Sequence, residues 1–155
     1  MGFMNTINIV GSGLTAQQLR LDIVAENVTN SQTTRTENGG GAYRRKMVVF
    51  EAVSGRDTFR DAMARASARA VPNGSSAPPA GGVRVTQIVE DESPLKIVYD
   101  PTHPDADENG YLEMPNVDMV KEIADAMAAS RAYASNVTAF NTLKSVLSSG
   151  LEIGR

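Results

Sequence analysis

The sequence predicts an α+β protein, with long heptad helices at its two ends pairing as a coiled coil and a small antiparallel β insert between them. Two observations carry the prediction. Apolar residues recur in alternating steps of four and three near each end, and in the middle that rhythm gives way to short alternating runs bounded by turn residues. A 3-4 alternation averages about 3.5 residues per turn, which keeps a narrow seam facing a partner helix. Helices at opposite ends of a short chain can pair and leave the residues between them looped out. The expected organisation is a helical domain from residues 1–34 and 115–155, and a β-rich insert over 35–114 with a flexible stretch at about 54–82.

The first stripe is Phe3, Ile7, Val10, Leu14, Leu21, Val24 and Val28, with Gln17 as its polar intruder. Residues 3–28 then form one helix about 40 Å long, at roughly 1.5 Å per residue. Gly11-Ser12-Gly13 interrupts it, and each glycine costs roughly 1 kcal/mol against Ala in a helix interior. Both lie off the stripe, which fits close approach by a neighbour. It equally fits a kink, or a helix that begins only at Ser12 or Thr15. The helix ends in Asn27-Val28-Thr29-Asn30-Ser31, where short polar side chains compete with the backbone for hydrogen bonds.

A polar loop through Gly39-Gly40-Gly41 leads to a strand over residues 43–50, with Met47-Val48-Val49-Phe50 at its apolar end. Over residues 57–70, Phe59, Met63, Ala66 and Ala70 suit either a weak helix face or a loop. Residues 72–82 are almost entirely Pro, Gly, Ser and Ala, the composition of a flexible link. Val83, Val85 and Val89 alternate with Arg84, Thr86 and Glu90, and Leu95, Ile97 and Tyr99 alternate likewise. The turn residues Asp91-Glu92-Ser93-Pro94 between them predict an antiparallel pair. Asn109-Gly110 turns the chain into a short segment over 111–114. Pro115 stops extended structure, and Asn116 is placed to cap the last helix. That helix runs to about Glu152 with the stripe Ile123, Ala126, Tyr133, Val137, Phe140, Leu147 and Leu151, and with Ser130 and Lys144 in its gaps.

Bulk properties exclude several functions. The 155 residues hold 15 basic against 18 acidic side chains, and the basic run is only Arg44-Arg45-Lys46, so no nucleic-acid stripe exists. No apolar run approaches the roughly 20 residues of a membrane span. The first basic residue is Arg20, so a secretory n-region is not expected. The absence of cysteine rules out disulfides, thiolate catalysis and cysteine-bound zinc.

Two strings imitate catalytic or metal chemistry. Residues 7–16 read as an apolar run followed by G-x-G-x-x-A, the fingerprint of a dinucleotide-binding turn. That reading makes the Gly11-Ser12-Gly13 loop part of a nucleotide-binding enzyme. It needs a second strand ending in an acid about 20 residues on, and Ser31 to Glu37 supply no apolar strand. Asp105-Ala106-Asp107-Glu108-Asn109-Gly110 matches half of a calcium loop, but Asn116 stands where a bidentate Glu is required. A solvated acidic turn is the expectation. His103 is the only histidine, so no catalytic, cofactor or multi-histidine metal site is expected.

At Ala25-Glu26-Asn27-Val28-Thr29-Asn30-Ser31-Gln32-Thr33-Thr34 the chain resembles the N-terminal signature of bacterial flagellar rod, hook and hook-associated axial proteins. Further motifs resemble the short-insert members of the proximal rod. They are Tyr43-Arg44-Arg45-Lys46, Val98-Tyr99-Asp100-Pro101, His103-Pro104-Asp105-Ala106, Tyr111 through Pro115-Asn116-Val117-Asp118, Ala129-Ser130-Arg131-Ala132-Tyr133 and Asn136-Val137. Thr34-Arg35 departs from the Thr-Pro that many axial proteins carry. The resemblance implies a non-enzymatic structural subunit of the basal-body rod, packing through its terminal stripes. Its implied partners are further copies, other rod subunits, and ring and export-gate components, with no nucleic acid, small-molecule substrate or cofactor. It implies export by the flagellar type III apparatus without a cleaved signal, and a place in the shaft that crosses the periplasm. A coiled-coil adaptor unrelated to motility is the other binding-protein reading.

Overall fold

The computed structural model describes residues 3–36, 41–53 and 81–153. Its elements are α1 (Phe3–Thr29), β1 (Lys46–Ala52), β2 (Val83–Glu90), β3 (Lys96–Tyr99), β4 (Tyr111–Met114) and α2 (Met119–Ile153). Long helices therefore flank small β pairs, the α+β arrangement expected. The possible helix over 57–70, and the proposed link apart from Gly81 and Gly82, lie outside the described residues.

Two compact units divide the chain. The first holds Met1–Ala16, Phe50–Val85 and Tyr133–Arg155, and the second holds Gln17–Val49 and Thr86–Ala132. α1 and α2 each contribute a segment to both.

α1 passes through both glycines without a break. Within the first unit a Cβ on Gly13 would stand 2.9 Å from the Asn136 side-chain amide, while one on Gly11 would meet nothing within 4 Å. Close approach by a neighbour thus explains Gly13; nothing in the structure explains Gly11. Residues 7–10 are helical, so the G-x-G string has no strand before it and the dinucleotide reading fails on geometry. At the far end Asn30 N–H and its side-chain amide both donate to Glu26 O, at 3.0 and 2.9 Å. This satisfies a terminal carbonyl that the helix leaves open.

α2 begins at Met119, with Val120 N–H donating to Asp118 Oδ1 at 3.0 Å. Asp118 is the N-cap, not Asn116 as expected. A cap must sit next to the first helical residue to reach the N–H groups inside it, and Asn116 is engaged elsewhere.

The strand pairing also differs from expectation. β1 pairs with β2, and β3 pairs with β4; β2 and β3 do not form a hairpin. Within the second unit, residues 91–94 are pinned by Asn116, whose Nδ2 donates to Asp91 O (3.1 Å) and Ser93 O (3.2 Å). The β3–β4 ladder is antiparallel, matching Lys96 with Met114 and Tyr99 with Tyr111. Its connection ends in Gly110 at φ 75°, a left-handed position that glycine adopts without steric cost. Leu112 on β4 is buried while Ile97 and Tyr99 on β3 are exposed. The alternating apolar set of β3 therefore points outward, opposite to the usual sense.

Candidate functional site

The second unit is tied together by a buried polar cluster. Asn27, on the last turn of α1, is 1% exposed, and Glu122, on the first turn of α2, is 0% exposed. Their side chains meet at 3.0 Å, Asn27 Nδ2 donating to Glu122 Oε2 across 95 residues of sequence. The same Nδ2 donates to Lys46 O at 2.9 Å, and Asn27 Oδ1 accepts from Lys46 N at 2.9 Å. One amide side chain thus pairs with both backbone groups of the first β1 residue, as a neighbouring strand would. Tyr43 Oη donates to the same Oδ1 at 2.9 Å.

Arg45 completes the cluster. Its Nε donates to Glu122 Oε1 at 2.6 Å, and its terminal nitrogens lie 3.3 Å from Asp125 and 3.9 Å from Asp91. Arg20 on α1 reaches Asp125 Oδ1 at 3.0 Å. Arg45 N donates to Asn116 Oδ1 at 2.8 Å, and Lys46 forms an ion pair with Glu26. Residue numbers rise along α1 as they fall along α2 in the contacts Arg20–Asp125 and Asn27–Glu122, so the two segments run antiparallel in this unit. A buried carboxylate is costly unless paired and hydrogen-bonded. Here Glu122 has both kinds of partner.

The electrostatics follow from the packing. Burial pushes the Tyr43 hydroxyl up to about 12, and the negative charges of Glu26, Glu122 and Glu90 push the same way. The Ser93 hydroxyl and backbone N–H hold Asp91 below the usual carboxylate range, helped by the charges of Arg45 and Arg44. Tyr43 keeps its proton more strongly in the folded chain than in the unfolded one. Its contribution to stability is therefore complete below the ordinary value of about 10 and is lost as pH rises through about 12. The expected result is an alkaline loss of stability in that window, followed by denaturant unfolding. Tyr43→Phe removes that step and, at neutral pH, costs about 1 kcal/mol.

A second set of contacts fixes the chain after α1. Thr33 Oγ1 donates to Asn30 Oδ1 at 3.1 Å, and Tyr43 N donates to Thr33 O at 3.0 Å. Thr34 Oγ1 donates to Asp105 Oδ2 at 2.8 Å, and Arg35 lies 3.6 Å from the same carboxylate. His103 Nδ1 accepts the Asp105 N–H at 3.1 Å, orienting that loop. The acidic turn is closed by Gly110 N–H donating to Asp107 O at 2.8 Å. Among the described residues no group of three acidic, His or Cys side chains is placed to hold a metal.

The family-motif residues are thus partly gathered. Asn27, Tyr43 and Asn116 belong to the cluster, Asn30, Thr33, His103 and Asp105 to the loop contacts, and Pro115 is fully buried. Pro104 and Arg131 are exposed, and Tyr133 is half-buried. On α1 Val24 is buried, and Phe3, Ile7, Val10, Leu14, Leu21 and Val28 are half-buried. On α2 Ala126 and Val137 are half-buried, while Ile123, Phe140, Leu147 and Leu151 are exposed. Neither Glu122 nor Asp125 was singled out in the sequence, and Arg45 stood there only as part of the Tyr43-Arg44-Arg45-Lys46 motif. The available signal was the heptad line Glu122, Ala129, Asn136, beside the apolar stripe; Ala129 is 0% exposed.

Comparison with known proteins gives the class first. The flagella basal body rod protein family matches residues 7–35, and the flagellar basal body rod FlgEFG protein C-terminal family matches 108–153. The chain is 40% identical to the flagellar basal-body rod protein FlgC of Borreliella burgdorferi, over 99% of this chain and 98% of that one. It is 39% identical to FlgC of Bacillus subtilis and 38% identical to FlgC of Escherichia coli O6:H1, each over the full length of both chains. The chain belongs to the FlgC family of flagellar basal-body rod proteins. It is a structural rod subunit and not an enzyme, assembling with other rod subunits in the flagellar basal body. No helix among the described residues is long and apolar enough to cross a membrane.

Proposed function

We propose that the chain builds the proximal part of the rod by packing its apolar stripes against neighbouring subunits, and so carries torque across the periplasm. The observation that supports this most directly is the outward-facing stripe of α2. Ile123 is 50%, Phe140 38%, Leu147 44% and Leu151 68% exposed. Apolar residues repeated along one helix face and left in water are suited to burial by another chain. Non-closing contacts of this kind generate helical arrays. The stripes on both terminal helices act as the assembly surfaces, in coiled-coil-like seams, with 1–34 and 115–155 as the helical domain and 35–114 as the insert. Ring and export-gate components are the further partners, and the chain reaches them by type III export without a cleaved signal.

Aspartate substitution tests the seams. Leu147→Asp and Leu151→Asp alter exposed positions, so the isolated chain should fold as before. Both variants should be exported, be missing from purified basal bodies and leave cells unable to swim. Leu14→Asp and Val137→Asp should do the same while also weakening the fold, since both positions are half-buried. Ser135→Asp, exposed and off the stripe, is the control expected to swim. Glu26 is a poor control because it pairs with Lys46. Swimming by the combined Leu147→Asp, Leu151→Asp strain would show that the stripe is not an assembly surface.

A further inference from the structure

The β3–β4 hairpin carries an apolar face that nothing in its own unit covers. Strand alternation places Ile97, Tyr99, Tyr111 and Glu113 on one side, with Ile97 opposite Glu113 and Tyr99 opposite Tyr111. Ile97 is 71%, Tyr99 64% and Tyr111 50% exposed. The two tyrosine rings meet edge to face with centroids 5.3 Å apart. A Cβ on Gly110 would lie 2.9 Å from Tyr99 Cε2, so the glycine makes room for that ring beside the turn. Beside this platform is a hollow of about 340 Å³ lined by Ile97, Asp107, Tyr111, Leu112 and Glu113. Neither Asp107 nor Glu113 has a side-chain partner among the described residues.

The complementary surface is on α2. Phe140, Leu147 and Leu151 share one helix face with Lys144, and Lys144 is the sole charge between Arg131 and Glu152. Lys144 has no ion-pair partner among the described residues. An acid-edged aromatic platform and a single-lysine apolar helix face match in both polarity and charge. We infer that the hairpin face of one copy covers the Phe140–Lys144–Leu147 face of a second copy, with Lys144 set against Glu113 and Asp107. The inference rests on the rod-subunit reading and names the partner of its α2 stripe. Because the two surfaces differ, each copy offers one to each neighbour, a head-to-tail contact that propagates instead of closing on a dimer.

The absence of native cysteine makes crosslinking a clean test. Two differently tagged full-length copies, one Ile97→Cys and the other Leu147→Cys, are expressed together in cells lacking the native gene. Basal bodies are purified and oxidised. A dimer carrying both tags should be the main product, and Ile97→Cys with Ser135→Cys should give none. Crosslinking of Ile97→Cys only to itself, or no mixed dimer in basal bodies that contain both copies, overturns the contact. A charge exchange checks it without cysteine. Glu113→Lys and Lys144→Glu should each reduce swarming several-fold, and the two together should restore it. Singles that swarm normally, or a double as impaired as the singles, overturn the contact. Absence of the tagged chain from the basal bodies of swimming cells would overturn the rod reading, and the contact with it.

Discussion

Asn27→Asp is expected to lower stability by about 4 kcal/mol at neutral pH, the scale for an uncompensated charge in a buried polar site. The substitution is nearly isosteric, so packing does not enter. Tyr43 Oη and Lys46 N still find an oxygen to donate to. On the other side a donor becomes an acceptor, facing Glu122 Oε2 at 3.0 Å and Lys46 O at 2.9 Å. Burial and the adjacent carboxylate both raise the new carboxyl above its ordinary value of about 4. The penalty should therefore be absent below that value, grow as pH rises through the raised folded value and be complete above it. Urea unfolding across pH measures this directly. A variant within about 1 kcal/mol of the parent at neutral pH would show that the cluster does not hold α1, β1 and α2 together.

Glu122→Ala should cost about 1–3 kcal/mol, the scale of hydrogen bonds lost to a charged group, since Arg45 keeps Asp125 and Asp91 and the Asn27 amide keeps Lys46 O. Glu122→Gln is the more informative change. If its oxygen keeps the Arg45 bond, its amide points donors at the Asn27 amide, so donor meets donor. Combining it with Asn27→Asp reverses both groups and lets the glutamine amide donate to the new carboxylate. The pair should thus be less destabilising than the sum of its parts, by about 0.5–3 kcal/mol, the usual range for groups in one network. Additive losses in the cycle would mean that Asn27 and Glu122 do not interact.

The helices were legible in the sequence because a 3-4 stripe is a local signal, written in consecutive turns. The β pairing was less so. Residues 91–94 have the composition of a hairpin turn, but Asp91 turns its carboxylate to Ser93 N and Oγ, at 2.9 and 2.5 Å. Asn116 then takes the segment's carbonyls, a contact between distant residues that no local pattern reveals. The direction of the stripes was hidden for a related reason. Periodicity shows that a helix has an apolar face, but not whether the same chain covers it. The inner line of α2 is instead Glu122, Ala129 and Asn136, too small and polar to register as a seam. Arg45 and Glu122 were opaque because a buried ion pair and a solvated one look alike in sequence. Asn27 and Tyr43 stood out through the motifs they belong to, and Asn116 read as a helix cap and not as the partner of Asp91 and Ser93.

The cluster also imposes an order on folding. A chain is made, and can emerge, from its N-terminus, so Asn27 and Tyr43 are free long before Glu122 arrives. Until then the Asn27 side chain has only Lys46 and Tyr43 to pair with, and most helical stability in proteins comes from tertiary packing of a helix face. The 95-residue separation between Asn27 and Glu122 makes this closure non-local and slow. A chain truncated before Met119 should exchange its amides around Asn27 as fast as an unstructured peptide, while the full chain protects them. Protection in the truncated chain would show that α1 consolidates alone. Otherwise the nascent subunit stays unlocked until its last helix is released, and the two ends commit to structure together.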